Sequence, residues 1–218
     1  MIHEEIRNTV LAAIKEAYKT GLITGTSGNI AMRSPEDKSI IAITPSGVDY
    51  DGMQPEDIAI VRMNEDGTND WIDGNFKPSS EVPMHTAVMR ARADVNATVH
   101  THSKYATICA MGSDPLLPIT PPHCEFTPIK VVKFLMPGSK DVAAEVQKAI
   151  GETGRVCLIK NHGLFACGKS MKAAMHAAQY TEEMGELTVI SKQLGNYEPM
   201  PEEAVLKMQE MIAADMAV

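Results

Sequence analysis

Arg155-Val-Cys-Leu-Ile-Lys-Asn-His-Gly-Leu-Phe-Ala-Cys167 is the stretch that decides how this chain is built. Two apolar runs, Arg155–Lys160 and Leu164–Cys167, read as strands, with only Asn161-His-Gly163 between them. A connection that short joins antiparallel neighbours, because parallel strands need a crossover of a dozen or more residues. The turn also carries an imidazole, His162, at a place where packing seldom needs a polar side chain. A second histidine-bearing run lies upstream, Ala97-Thr-Val-His-Thr-His-Ser103. Residues two apart on a strand point to one face, so His100 and His102 are held side by side on a stiff element.

Reading outward from these strands, helices and strands alternate. Ile6, Val10, Ile14, Ala17 and Tyr18 fall on one helical face that stops at Gly21. Ser39–Ile43 and Ile58–Arg62 read as strands, and Glu65-Asp-Gly67 as a hairpin turn. A helix is predicted from Glu81 to Ala93, with Ser80 as cap and Pro83 in the first turn. Lys104–Met111 reads as helical, while the proline-rich stretch Gly112–Pro137 has no assignable element. Ser139 caps a helix closed by Gly151, Ser170 opens a long helix ending at Gly195, and a last helix starts at Pro201. This interleaving with hairpin-sized links predicts one α/β domain over residues 1–218, with a mixed sheet flanked by helices.

Composition narrows the function. The 218 residues are 44% apolar, enough for a full core. A net charge of −8 leaves no basic stripe for a phosphate backbone, so nucleic acid is not an expected partner. No apolar run is long enough to span a bilayer, so no membrane association is expected. Met1–Gly21 has no apolar segment of the kind a secretory signal needs, and the four cysteines form no CxxC pair, which together suit a cytoplasmic protein with reduced thiols.

Three histidines around one open position is the ligand set of a catalytic zinc, so His162 is the third candidate ligand beside His100 and His102. The competing reading is that the pair straddles a sheet edge and bonds to backbone. Glu81 is the candidate reacting group, although a carboxylate in a first helical turn also serves as a dipole or capping partner. Gly28-Asn29, Ser46-Gly47 and Ser79-Ser80 each offer hydroxyls or exposed amides to an anion, the last pair at a helix N-terminus. His3, His85, His123 and His176 read as surface or satisfied core histidines.

Taken together, Gly25-Thr-Ser-Gly-Asn29, Thr44-Pro-Ser-Gly47, Pro78-Ser-Ser-Glu81 with Met84-His85, Val99-His-Thr-His102 and Asn161-His-Gly-Leu164 resemble the class II aldolase family, whose fold also forms the adducin head. The resemblance implies a three-layer α/β/α fold around a mixed, largely antiparallel sheet, assembled as a homotetramer with sites between subunits. It implies Zn2+, or another divalent metal such as Mn2+ or Co2+, on His100, His102 and His162, with Glu81 touching the resting metal and acting as base. It implies that Gly28, Asn29, Ser46, Gly47, Ser79 and Ser80 hold a substrate phosphate. The implied reaction is cleavage of a ketose 1-phosphate, such as L-fuculose 1-phosphate or a deoxypentulose 1-phosphate, to dihydroxyacetone phosphate and an aldehyde, through an enediolate that the metal stabilises. A pentulose 5-phosphate 4-epimerase and a methylthioribulose 1-phosphate dehydratase are the alternatives within the family. Glu81 stands where the epimerase branch carries aspartate, and the nearest residue to that branch's catalytic aspartate is Glu125. On the aldehyde side the pattern changes: His123 stands nearest to the expected tyrosine, Pro137 replaces a bulky aromatic, and no aromatic follows Tyr197.

Overall fold

The structure, a computed structural model, describes residues 1–215; residues 216–218 of the expected domain lie outside it. An eight-stranded sheet forms from β1 (Asn29–Arg33), β2 (Ile40–Ile43), β3 (Ala59–Met63), β4 (Asn69–Asp73), β5 (Ala97–Thr101), β6 (Lys130–Val132), β7 (Val156–Ile159) and β8 (Gly163–Gly168). Their spatial order is β4-β3-β2-β1-β5-β8-β7-β6. Every pairing is antiparallel except β6 with β7. The sheet is therefore mixed and largely antiparallel, and the β7–β8 hairpin forms around Asn161-His-Gly163 as its length requires.

The central strands are buried on both faces, and the strand period of two divides their side chains between two cores. Ile30, Val99, Leu158 and Leu164 pack with α1 (Glu4–Lys19) and α5 (Met171–Leu194), while Ala31, Ile41, Cys157 and Phe165 pack with α2 (Val82–Ala91) and α4 (Lys140–Ile150). Helices α3 (Lys104–Ala110) and α6 (Glu202–Asp215) complete the described helices, giving the three-layer α/β/α arrangement. Ser139 and Ser170 act as the caps their positions predict, each accepting a hydrogen bond from a backbone N–H of its helix's first turn. No helix among the described residues is long and apolar enough to cross a membrane. All four cysteines are free thiols.

Several expectations need correction. Helix α2 spans Val82–Ala91, not Glu81–Ala93, and the position before it is Glu81 rather than Ser80. Arg92 is already extended, which ends the helix early. Tyr18 lies at the rim of α1 at 38% exposure rather than in the core. The stretch Gly112–Pro137 contains a 3₁₀ turn, Pro121–Glu125, and the short strand β6. Strand β4, which the Glu65-Asp-Gly67 hairpin turn implies, lacks an apolar pattern of its own: its side chains are exposed or half-buried and it sits at the sheet edge.

Candidate active site

Register assembles the site at one end of the central strands. Because β5 runs antiparallel to both β1 and β8, its C-terminal end lies beside the start of each: His100 is opposite Asn29 on one side and Phe165 on the other. His102 follows directly on β5, and His162 projects from the turn that precedes β8. Gly163 must be glycine here, since a Cβ would lie 2.1 Å from the Thr101 carbonyl oxygen. Glu81 arrives from the opposite layer. It sits in the cap position of α2 yet makes no capping hydrogen bond; its carboxylate turns to the histidines instead.

His100 Nε2 lies 3.0 Å from His102 Nε2 and 3.2 Å from His162 Nε2. Glu81 Oε2 is 3.2 Å from His100 Nε2, and Glu81 Oε1 is 3.4 Å from His162 Nε2. All four ligand atoms fall within 4.8 Å of one another. His100 Nδ1 donates to the Leu164 carbonyl at 2.7 Å, a bond that fixes the ring so that Nε2 is the atom turned to the other two histidines. Three imidazole nitrogens and a carboxylate converging on one point repel each other unless a cation lies between them. Glu81 Oε1 and His162 Nδ1 are buried without a hydrogen-bond partner. The donor set of three nitrogens and one oxygen suits a divalent metal such as zinc, so the residues fit the group that the resemblance implies.

The electrostatics agree. Burial, with the neighbouring His100, pushes the His102 and His162 imidazoles down to about 4, so both are neutral at neutral pH, as a ligand must be. Burial alone would raise the Glu81 carboxyl, but contacts with His100 and Asn29 outweigh it and hold the group below the usual carboxylate range.

The phosphate candidates come together on the far wall. Gly28, Asn29, Ser46, Gly47, Ser79 and Ser80 line one cavity of about 410 Å³ together with Glu81, His102 and His162. The loops after β2 and before α2 are zipped to each other, Ser46 N–H donating to the Lys77 carbonyl at 2.9 Å and Ser79 N–H to the Thr44 carbonyl at 3.1 Å. The first loop is pinned by the Tyr50 hydroxyl, which donates to the Gly28 carbonyl at 2.9 Å. Gly28 has φ +100°, and a Cβ there would lie 2.8 Å from the His100 carbonyl oxygen, so only glycine lets this loop lie against the strand that carries His100. Among the described residues no lysine or arginine lines the cavity, so the groups it offers an anion are amides, hydroxyls and the N-terminal end of α2.

His123 and Glu125 are not brought to this cavity within the chain. His123 is fully buried, with Nδ1 accepting from the Ile119 and Thr120 amides at 3.3 and 3.2 Å. Its Nε2 faces Glu183 at 3.3 Å, and Glu125 pairs with Arg155 at 3.1 Å. Pro137 does line the cavity, beside Phe134, which sequence reasoning had passed over. His85, expected to be a surface or satisfied core histidine, is fully buried behind Glu81 with both ring nitrogens partnered, and beside it lies buried Thr98, which the sequence did not single out. A signal for the placement of His85 was present: it is four residues after Glu81, one helical turn on.

The comparisons bear on this geometry. Residues 8–189 match the family described as Class II Aldolase and Adducin N-terminal domain. The chain is 34% identical over 209 residues to a 5-deoxy-D-ribulose 1-phosphate aldolase of Bacillus thuringiensis serovar kurstaki, covering 93% of each chain. It is 31% identical over 179 residues to an L-fuculose phosphate aldolase of Methanococcus maripaludis, covering 81% of this chain and 92% of that protein. A solved L-fuculose 1-phosphate aldolase superposes with a TM-score of 0.88 at 28% identity, over 98% of both chains. The chain belongs to the class II aldolase and adducin N-terminal domain family. Within it, the chain is a class II aldolase, a carbon–carbon lyase.

Proposed function

We propose that the protein cleaves a ketose 1-phosphate reversibly to dihydroxyacetone phosphate and an aldehyde, with zinc held by His100, His102 and His162. The observation that carries this reading is the placement of one carboxylate, Glu81, between a three-histidine cluster and a cavity walled by three hydroxyl- and glycine-rich loops.

The bound cation supplies Lewis acidity, withdrawing electron density from the substrate carbonyl and stabilising negative charge on the neighbouring oxygen. The three loops hold the phosphate through Gly28, Asn29, Ser46, Gly47, Ser79 and Ser80, which orients the reacting carbons towards Glu81. In the condensing direction Glu81 takes a proton from the carbon beside the carbonyl, leaving an enediolate. That carbon adds to the aldehyde, whose oxygen takes up a proton. Cleavage is the same sequence reversed, with Glu81 returning the proton to carbon. Burial of the carboxylate among neutral imidazoles keeps bulk water from competing for that proton.

The 5-deoxy-D-ribulose 1-phosphate aldolase relative makes that ketose the first substrate to test, with L-fuculose 1-phosphate second. The aldehyde half of the cavity is completed by a neighbouring copy in a homotetramer, consistent with His123 and Glu125 lying away from the cavity of their own chain. The test is incubation of the zinc-loaded protein with both 1-phosphates and with a pentulose 5-phosphate. Dihydroxyacetone phosphate from a 1-phosphate is the expected result; C4 epimerisation of the 5-phosphate, or loss of water without carbon–carbon cleavage, would overturn the reading. Light scattering checks the tetramer.

A further inference from the structure

From Glu81 inward runs a line of four buried side chains whose joining the reaction above leaves unexplained. Asn29 Nδ2 lies 2.9 Å from Glu81 Oε2, Asn29 Oδ1 lies 2.5 Å from His85 Nε2, and His85 Nδ1 lies 2.6 Å from Thr98 Oγ1. His85 and Thr98 are fully buried, and Asn29 and Glu81 are 5% and 6% exposed. Four polar side chains from three elements, β1, β5 and the start of α2, are thus joined away from water.

The chemistry of each group fixes the direction of every bond. A carboxylate can only accept, so Asn29 must present its NH₂ to Glu81. Its carbonyl oxygen then faces His85 Nε2, which must carry the proton. His85 Nδ1 is left with a lone pair, and the Thr98 hydroxyl donates to it. Burial pushes the His85 imidazole down to about 3, so the ring stays neutral and a single tautomer satisfies both neighbours. Phe165 packs against the ring edge to face at 5.4 Å between centroids, which resists rotation. The two oxygens of Glu81 are consequently unlike: Oε2 accepts from Asn29, whereas Oε1 is buried with no hydrogen bond.

We infer that His85 is a positioning residue for Glu81: with Thr98 it locks the Asn29 amide so that Nδ2–H holds Oε2, leaving Oε1 as the oxygen that takes the substrate proton. Without the His85 donor, the Asn29 amide gains nothing from its present orientation, and turned over it would set its own oxygen against the carboxylate. The chain needs no titration to act; it sets direction. Asn29 therefore has a task besides lining the phosphate cavity. This inference rests on Glu81 being the base.

The experiment compares His85→Leu, His85→Gln, Asn29→Ala and the Asn29→Ala/His85→Leu double variant in the zinc-loaded enzyme, with zinc affinity measured separately by chelator competition. His85→Leu is expected to lower kcat by roughly 10–100-fold, the range for loss of an outer-shell partner, with KM and zinc affinity within about threefold of wild type. His85→Gln, which keeps a donor near the Nε2 position, is expected to recover most of that loss. The double variant is expected to be no slower than Asn29→Ala, because His85 acts only through Asn29. Wild-type kcat in His85→Leu, losses that multiply in the double variant, or a loss that follows zinc affinity instead of kcat would each overturn the inference. Should His85→Leu fail to fold, Thr98→Val takes its place: a kcat loss that vanishes in the Asn29→Ala background supports the relay, and wild-type kcat overturns it. Glu81→Gln separates the two readings. An inactive Glu81→Gln beside a fully active His85→Leu sinks the relay alone, whereas an active Glu81→Gln sinks the base.

Discussion

Two of the buried histidine regions, the turn around His123 and the cluster of His100, His102 and His162, are opposites. At His123 every ring nitrogen has a protein partner: two backbone amides on Nδ1 and Glu183 on Nε2. At His100, His102 and His162 the Nε2 atoms face one another and a carboxylate, and Glu81 Oε1 has no hydrogen bond. Burial is much the same in both; satisfaction is not. A buried imidazole with partners on both nitrogens holds structure together. A group of them aimed at one point is built to receive something positive.

The largest test of this contrast is Glu81→Gln, which keeps shape and removes the base. It should lower turnover on the order of 10²–10⁴-fold, the usual share of a positioned general base, while zinc remains bound; near-normal dihydroxyacetone phosphate release would erase the difference between the regions. Next is His102→Ala. Wild-type protein should melt at lower temperature after chelator treatment, because a ligand at a hundredfold excess over its Kd stabilises by about 2.7 kcal/mol. The variant should show no chelator-induced shift in a calorimetric scan, and an unchanged shift would remove His102 from the ligand set.

A third test uses acid. His85 and His162 titrate at about 3 and about 4 in the folded chain, below the ordinary 6.5. Between those values the unfolded chain binds more protons, so stability is fully present above pH 6.5 and is lost as pH falls towards 4. For each group the slope is limited to about 1.4 kcal/mol per pH unit. Urea midpoints of metal-stripped protein should fall across this window, and a flat profile would show that the imidazoles are not held neutral. The smallest effect belongs to His123→Leu. Two amides lose their acceptor, a cost of about 1–3 kcal/mol visible in a urea titration, with zinc affinity unchanged. A fall in kcat without a fall in stability would instead place His123 in a site completed across subunits.

The three-histidine cluster was legible because each member depends on a short-range rule. Strand pleat aligns His100 with His102, and a three-residue turn forces β7 and β8 to be neighbours, carrying His162 with them. The phosphate loops were legible as glycine and hydroxyl clusters between periodic segments. What stayed hidden depends on what a segment is packed against rather than on its own pattern. Strand β4, Asn-Asp-Trp-Ile-Asp, lacks apolar alternation and is a strand only because β3 pairs with it. Three-residue β6 takes its identity from β7 in the same way. Glu81 stood out as a candidate reacting group, but its turn from the helix cap towards His100 was not legible, and Asn29, expected to hold a phosphate, gave no sign of its contacts with Glu81 and His85.

The pairing of β5 with β8 also sets the order of events in the protein's own production. His100 and His162 are separated by 62 residues along the chain, yet their nitrogens meet at 3.2 Å. The four-residue cluster cannot be complete while the ribosome is still short of His162, and before that point the chain offers at most Glu81, His100 and His102. A cation that needs all four side chains would therefore bind only after the sheet centre has closed, as a finishing step on a folded scaffold rather than as its seed.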